Sequence, residues 1–377
     1  MGRIYLLDCT LRDGGYVNEW NFGRETIRGF AKKIVQTGID IFEVGFLKGD
    51  ENNPDKTLYP DIESIAEDIE PKATGLKYVA MLDMGNPVPI DRLTPKSGKS
   101  VDGIRVIFKK DKIDEAYEYC RRIKELGYFF TANIVTSDLY TDEEFIAVIK
   151  KFNKLGPFSV SIVDTFGLIK KQRFLHMVHI ADQYLDRDIA LAYHAHNNLQ
   201  QAFGNAEEFV ELKLDRDIVV DACVFGMGKG AGNLNLELFA QYLNENNGTH
   251  YRIEPMLEIM DEYLNDIYKT KFWGYSVPMF LSATTATHTN YSIYFAEKDT
   301  LTVKSFNELL RSIKDEDKAA FTKEKAENYY RAYMENYIDD KYALQELSSA
   351  LEGKRVLVLA PGRSLSTERE KIGRAHV

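Results

Sequence analysis

The chain has 377 residues, of which 44% are hydrophobic and 28% charged, and its formal net charge is −10. These values are ordinary for a globular protein with a large core and argue against extensive disorder. The acidic balance, with no dense run of lysine and arginine, argues against a general nucleic-acid partner. Charge therefore points to small molecules or proteins as partners.

Cysteine usage and hydropathy indicate a compartment. Cys9, Cys120 and Cys223 are odd in number and far apart, which is typical of reduced core residues. No apolar run approaches the roughly 18 residues of a membrane span, and no secretory leader pattern precedes the first strand. We therefore expect a cytoplasmic protein without a membrane partner.

Short β-branched or aromatic runs recur along the chain, each followed by a longer amphipathic stretch. This rhythm of parallel βα units, with no nucleotide fingerprint after the first strand, favours a closed (β/α)₈ TIM barrel over an open doubly wound sheet. One helical interval is marked by Thr141 as N-cap with Glu144 completing a capping box. The predicted strands span residues 4–11, 39–46, 77–83, 103–108, 129–136, 158–165, 190–197 and 218–225.

Changes in residue pattern along the chain predict its domain boundaries. We assign residues 1–247 to the barrel, 248–350 to a helical extension, and 351–371 to the truncated start of a further α/β domain. The last six residues, 372–377, match the translation of a common sequencing-adapter string. We therefore expect those six to be an artefact.

Two histidines close the seventh predicted strand, in the run Leu-Ala-Tyr-His194-Ala-His196. Residues i and i+2 of a strand point the same way, so both imidazoles can face one ion, with Asp13 from the first strand as a carboxylate ligand. Such a set suits Mg²⁺ or Mn²⁺ as a Lewis acid, and two imidazoles also admit Zn²⁺. The alternative is a pair of hydrogen-bonded histidines at a strand end.

Arg12 stands beside the carboxylate, where a planar cation could stabilise a developing enolate oxygen. Its alternative role is a salt bridge to a neighbour such as Glu43, and the two roles can coexist. After the last strand, glycines including Gly228 and Gly230 let backbone amides approach an anion, and Asn233 offers an amide oxygen to a metal. That loop could equally be a plain flexible connection or a phosphate cradle.

Three motifs carry a family resemblance: Asp-Cys-Thr-Leu-Arg12-Asp13-Gly, His194-Ala-His196-Asn and Gly-Met-Gly-Lys-Gly-Ala-Gly-Asn233. In this order they resemble the signatures of the DRE-TIM metallolyase superfamily, also called HMG-CoA lyase-like. The likeness is greatest to members of the 4-hydroxy-2-oxovalerate aldolase type. It implies a TIM barrel whose metal ligands are Asp13, His194, His196 and Asn233, the last as ligand or loop anchor.

The resemblance implies further roles. Arg12 would stabilise the enolate, and Glu43 would orient the arginine. Asp164 and Thr165 would contact the substrate or support residues that do. Tyr275 would be a proton donor, although a packed core tyrosine fits it equally well.

Departures from the family pattern limit the assignment. The loop at residues 226–232 has no cysteine, which argues against HMG-CoA lyase proper. Ketoacid aldolases place a histidine base after Arg-Asp-Gly, whereas this chain has Tyr16 there. Tyr16, a metal-bound water and another residue are the candidates for the base. The segment after residue 351 is too short for a regulatory domain of the isopropylmalate synthase type.

The leading hypothesis is a divalent-metal-dependent carbon–carbon lyase or aldolase that acts on a pyruvate-type 2-oxo acid through an enolate. One alternative is a Claisen-type synthase joining an acyl-CoA to a 2-oxo acid. Another is a barrel that serves only binding or assembly. The expected partners are a 2-oxo acid with an aldehyde or acyl-CoA, and a homo-oligomer remains open.

Overall fold

The computed structural model describes residues 2–336 and 341–354. The chain separates into two compact units, one ending at Lys323 and one beginning at Glu324. The expected boundary between residues 247 and 248 stays a prediction. The expected strand and turn of the further α/β domain, and the last six residues, lie outside the described residues.

Eight parallel strands form a closed barrel in the first unit. Each strand pairs with its neighbours in chain order, and β1 pairs with both β2 and β8, which closes the sheet. The predicted (β/α)₈ barrel is confirmed. The strands are β1 Ile4–Asp8, β2 Ile41–Leu47, β3 Lys77–Asp83, β4 Gly103–Phe108, β5 Phe129–Ile134, β6 Ser159–Asp164, β7 Ala190–Ala195 and β8 Ile218–Ala222, with Leu58–Tyr59 as a short strand beside β2.

Amphipathic helices surround the barrel and bury their apolar faces against it. The expected capping box is present, because the Thr141 hydroxyl accepts from the Glu144 amide and the Glu144 carboxylate accepts from the Thr141 amide. Between β3 and β4 the connection holds a 3₁₀ turn, Ile90–Arg92. The outer helices are Arg24–Ile34, Ile62–Ile69, Ile113–Glu125, Asp142–Asn153, Lys171–Tyr184, Ala202–Glu211 and Leu236–Asn247.

The first strand ends earlier than its apolar pattern predicts. The prediction of strand to residue 11 is wrong, because the amides of Asp13 and Gly14 bond back to the carbonyls of Cys9 and Thr10. These bonds make a one-turn helix, Thr10–Asp13, directly after β1. Arg12 and Asp13 therefore stand on a helical turn at the carboxyl end of the barrel, where barrel active sites lie.

Helices follow the barrel, as expected. In the first unit they are Glu254–Ile259, the π-helical turn Met260–Leu264, Asn265–Thr270, Val277–Thr284, Thr289–Glu297, Val303–Ser312 and Asp315–Lys318. The described part of the second unit consists of most of Lys323–Asn336 together with Lys341–Leu351. Within residues 2–336 and 341–354, no helix has the length and apolar character that a bilayer crossing requires.

Candidate active site

Three predicted ligands meet at the carboxyl end of the barrel. Asp13 Oδ2 lies 3.0 Å from His194 Nε2 and 3.8 Å from His196 Nε2. All three side chains are buried, and their donor atoms lie close enough together to share one ion. The barrel thus unites residues separated by 180 positions or more of sequence, as the His-x-His spacing with Asp13 predicts.

Asn233 completes this cluster. Its side chain donates to Asp13 Oδ2 at 2.7 Å, and its backbone forms a β-bridge with His196. Asp13 Oδ1, Asn233 Oδ1 and His196 Nδ1 are buried and find no hydrogen-bond partner among the described residues. Buried polar atoms are costly when unpaired, so these atoms fit a site that a cation completes. The donor set of carboxylate, amide oxygen and imidazole suits a divalent metal.

His194 is held in place from behind. Its Nδ1 lies 3.0 Å from Asp221 Oδ2, on the neighbouring strand β8. Metal-binding histidines usually donate their second ring nitrogen to a carboxylate, which fixes the tautomer and the ring orientation. Asp221 therefore leaves Nε2 as the nitrogen that a metal would use.

A network of charges crosses the barrel beneath the cluster. Glu43 Oε2 accepts from Arg12 Nε at 2.6 Å, and Glu43 Oε1 lies 3.2 Å from Arg105 Nη1. Arg105 also pairs with Asp221, which holds His194. Arg12 itself lies 3.3 Å from Asp13, so the network returns to the cluster. The salt bridge expected as the alternative role of Arg12 is present.

Arg105 and Asp221 were not among the residues predicted from the sequence. Both are charged residues in the middle of otherwise apolar strands, Gly103–Phe108 and Ile218–Ala222, and both are buried. Charged side chains are rarely buried unless they are paired. That placement is the signal that could have found them.

Electrostatics keeps Asp13 and His196 in the charge state that a cation needs. At His194 burial lowers the pKa, but hydrogen bonds to Asp13 and Asp221 raise it well above its usual value, so a cation would displace a proton there. Burial alone would raise the pKa of Asp13, but Arg12 and the two histidines outweigh it and hold that pKa well below its usual range. Burial lowers the pKa of Arg12, yet the carboxylates of Glu43 and Asp13 raise it well above its usual value. Burial also lowers the pKa of His196 to about 4. At neutral pH Asp13 is ionised and His196 carries a free lone pair.

The glycine loop after β8 packs directly on Asn233. A Cβ on Gly228 would stand 2.7 Å from Asn233 Nδ2, and one on Gly232, at φ +80°, would stand 2.1 Å from the Gly226 carbonyl oxygen. Asn198 accepts from the Ala231 amide at 2.9 Å and so ties the loop to the end of β7. Because these glycines have no Cβ, the loop can pack closely against Asn233 and hold it in position.

A cavity of about 500 Å³ lies beside the cluster, between the glycine loop and the helices that follow the barrel. Gly228 and Gly230 line it, as does Tyr16, three residues after Asp13. Aromatic rings such as Trp273 and Phe321 make up much of its wall. The cavity adjoins the cluster through Gly228, which packs on Asn233, and charged side chains such as Glu19 and Lys229 line it together with the aromatic rings.

The remaining predicted residues have different surroundings. Tyr16 packs edge-on against Trp20, and burial raises its pKa above the usual value, so its phenol is protonated at neutral pH. Asp164 accepts from the amides of Leu168 and Ile169 at 2.8 and 3.0 Å and closes its own turn.

Thr165 accepts from the Thr136 amide at 2.8 Å. Tyr275 is 54% exposed and is absent from the described residues that line the cavity. The substrate-contact and proton-donor roles expected of these residues stay predictions.

One protein-family model matches part of this chain. The HMGL-like family model matches residues 97–261, which include His194, His196 and Asn233. These residues are similar to an HMGL-like domain. The resemblance to the HMG-CoA lyase-like superfamily is therefore confirmed, although Arg12 and Asp13 lie before the matched residues.

Individual relatives agree with this domain. A 4-hydroxy-2-oxovalerate aldolase of Geobacillus genomosp. 3 is 25% identical over 268 residues, 70% of this chain and 77% of the relative. The N-terminal domain of a candidate aldolase from Bacteroides vulgatus superposes with a TM-score of 0.68 at 25% identity, covering 82% of this chain and all of that one. Hydroxymethylglutaryl-CoA lyase from Pseudomonas aeruginosa, at 16% identity, shares the fold with a TM-score of 0.56 over 72% of this chain and 94% of its own.

Proposed function

We propose that this chain is a divalent-metal-dependent carbon–carbon lyase of the aldolase type, acting on a pyruvate-type 2-oxo acid. The observation that carries the proposal is the buried cluster of Asp13, His194, His196 and Asn233, whose unpaired atoms stand beside a fixed Arg12. Relatives named 4-hydroxy-2-oxovalerate aldolase support the same class of reaction.

The cluster residues would hold the cation. The carboxylate and amide oxygens favour Mg²⁺ or Mn²⁺, while the two imidazoles admit Zn²⁺. A divalent cation bound there would act as a Lewis acid toward the oxygens of a 2-oxo acid. His194 would be kept in its binding tautomer by Asp221.

Arg12 would stabilise negative charge on the enolate oxygen. In the part of the chain that the structure describes, its ion pairs engage Nε with Glu43 and Nη1 with Asp13, and Nη2 remains for a substrate oxygen. When the carbon–carbon bond of an aldol breaks, its electron pair passes to the 2-oxo acid fragment as an enolate. A guanidinium already held by two carboxylates needs no reorganisation to meet that charge.

A substrate screen tests this function. The protein, supplied in turn with Mg²⁺, Mn²⁺ or Zn²⁺, is incubated with 4-hydroxy-2-oxo acids, and the release of pyruvate and aldehyde is followed. We expect metal-dependent cleavage that a chelator abolishes. Release of free thiol from acetyl-CoA with a 2-oxo acid would instead identify the synthase. If the protein binds no divalent ion and converts no 2-oxo acid, the proposal that it is an enzyme is refuted.

We infer a cytoplasmic location and small-molecule partners for the same protein. All three cysteines are buried free thiols, which suits a reducing compartment. Fractionation of the source cells with a disulfide-bonded periplasmic or secreted marker tests the location. Sedimentation of the purified chain decides whether it assembles as a homo-oligomer.

A further inference from the structure

Lys229 has no role in the site described so far. It stands in the glycine loop and lines the cavity beside the cluster. Its Nζ lies 5.5 Å from the centre of the Tyr16 ring and 3.4 Å from His288 Nε2. The side chain therefore lies between the Tyr16 ring and His288, in the wall of the cavity.

The hydrogen bonds of His288 restrict the protonation state of Lys229. His288 Nδ1 accepts from the Asn290 amide at 3.2 Å, so that nitrogen carries a lone pair. Burial lowers the pKa of His288 to about 3, so the ring is neutral at neutral pH. A neutral imidazole with an accepting Nδ1 carries its proton on Nε2.

The proton on His288 Nε2 faces Lys229 Nζ. An ammonium at that position would oppose one N–H with another, whereas a free amine accepts the bond through its lone pair. The geometry therefore favours Lys229 as the neutral amine. An amine with a free lone pair is a base, and a deprotonated lysine is a common catalytic device.

The surroundings of Lys229 bring its pKa close to neutral pH, so that a sizeable fraction of free amine is accessible. Burial lowers its pKa to about 8, Lys109 lowers it further, and Asp13 opposes both. Lys229 in turn lowers the pKa of His196, so its Nζ lies within electrostatic reach of the cluster. The charged and titratable groups around it are Asp13, Lys109, His196, His288 and Tyr16, with Glu19, Lys271, Glu297 and Lys323 along the same cavity.

We propose that Lys229 is the general base of the reaction, a role that rests on the proposed lyase function. In cleavage, Nζ takes the proton of the substrate hydroxyl, and the O–H electron pair forms the aldehyde carbonyl. The carbon–carbon bond breaks, and its electron pair becomes the enolate beside Arg12. The ammonium of Lys229 returns its proton to the enolate carbon, which gives the 2-oxo acid and restores the amine.

Exchange of pyruvate methyl protons with D₂O tests this role, because it uses the last step in reverse. Three variants of the full chain are compared with the wild type in the same metal: Lys229→Met, Lys229→Arg and, as control, Lys304→Met on an exposed helix. Arginine keeps the charge but cannot act as a base. We expect both Lys229 variants to lose about 100-fold or more of the exchange rate, and the control to lose none.

Chemical rescue separates a base from a structural lysine. We expect added ethylamine to restore exchange to Lys229→Ala, with a rate that rises with pH as the free amine fraction grows. Metal titration and circular dichroism of each variant verify that the cluster and the fold persist. Unchanged exchange in Lys229→Met, or a folded Lys229→Ala that amines cannot rescue, would overturn the proposal.

A measurement independent of activity completes the test. Competitive acetylation across a pH series, read by mass spectrometry, gives the pKa of Lys229 directly. We expect it well below the usual lysine value, and an ordinary lysine pKa would overturn the inference. If the wild type exchanges no 2-oxo acid although Lys229 titrates low, the proposed function fails, and the amine loses its role as the base of that reaction.

Discussion

Asp221 Oδ2 lies 3.0 Å from His194 Nδ1, while the opposite ring nitrogen of His194 lies 3.0 Å from Asp13 Oδ2. One imidazole therefore joins a carboxylate of the site to a carboxylate of the barrel interior. Arg105 pairs with Asp221 from the other side and keeps it ionised, since it lowers a pKa that burial would raise. The orientation of His194 depends on residues that no ligand would touch.

Asp221→Asn should weaken metal binding without removing a ligand. The amide cannot hold the imidazole in one tautomer as a carboxylate does, and such supporting partners are worth about 10- to 100-fold in metal affinity. Titration calorimetry with Mn²⁺ measures the change. Asp40→Asn is the control, because Asp40 is also buried and accepts from the Leu6 amide and Tyr251 but does not contact the cluster. Equal Mn²⁺ affinity in both variants would contradict this account of Asp221.

Arg105→Met should destabilise the fold. It leaves Glu43 and Asp221 as buried carboxylates without their shared partner, and breaking a buried pair on one side costs about 3–5 kcal/mol. Urea denaturation of the metal-free protein measures the free energy of unfolding. Arg187→Met removes an exposed pair with Asp182 and should change stability by about 1 kcal/mol or less. Similar small losses in both variants would show that the network is not needed for stability.

Gly232→Ala should detach Asn233 from the site. A methyl group at this position meets the Gly226 carbonyl oxygen at 2.1 Å, and the positive φ adds strain, so the loop must shift. We expect weaker Mn²⁺ binding with the barrel intact by circular dichroism. In Gly204→Ala the methyl group meets open space on a helix and should stabilise the fold by about 0.5–1 kcal/mol. Wild-type Mn²⁺ affinity in Gly232→Ala would refute the positioning role of the loop.

Asp164 should make stability depend on pH. Burial raises its pKa to about 7 in the folded protein, against an ordinary value near 4 when unfolded. The native state therefore holds a proton that the unfolded chain has lost, so this contribution is complete below about pH 4 and disappears as pH rises through 7. Relative to Asp164→Asn, the wild type should lose stability between pH 5 and pH 8 in urea unfolding. If the stabilities of the two proteins change with pH in parallel, the raised pKa of Asp164 is contradicted.

The fold could be predicted because its signals are local. Apolar runs gave all eight strands, and Thr141 with Glu144 marked a helix start, since periodicity and capping involve neighbours in sequence. The end of β1 could not be placed, because the apolar run continues through Leu11 while the backbone turns into a helix.

Site residues that stand in a sequence motif could be predicted. Residues whose role depends on pairing with a distant part of the chain could not. Asp13, His194 and Asn233 stand in recognisable motifs. Arg105 and Asp221 are 116 residues apart, and only closure of the barrel shows that they are partners. Lys229 was visible in the glycine loop, but the role proposed for it depends on His288, the residue directly before the helix Thr289–Glu297.

The most direct test of the account is deuterium incorporation from D₂O into the methyl group of pyruvate, followed by proton NMR. The wild type loaded with Mg²⁺ or Mn²⁺ should exchange these protons, and a chelator should stop the exchange. Asp13→Asn should show none, whereas Asp40→Asn, a buried carboxylate away from the cluster, should retain it. Exchange by Asp13→Asn at the wild-type rate would contradict the claim that this cluster holds the metal that supports enolate formation.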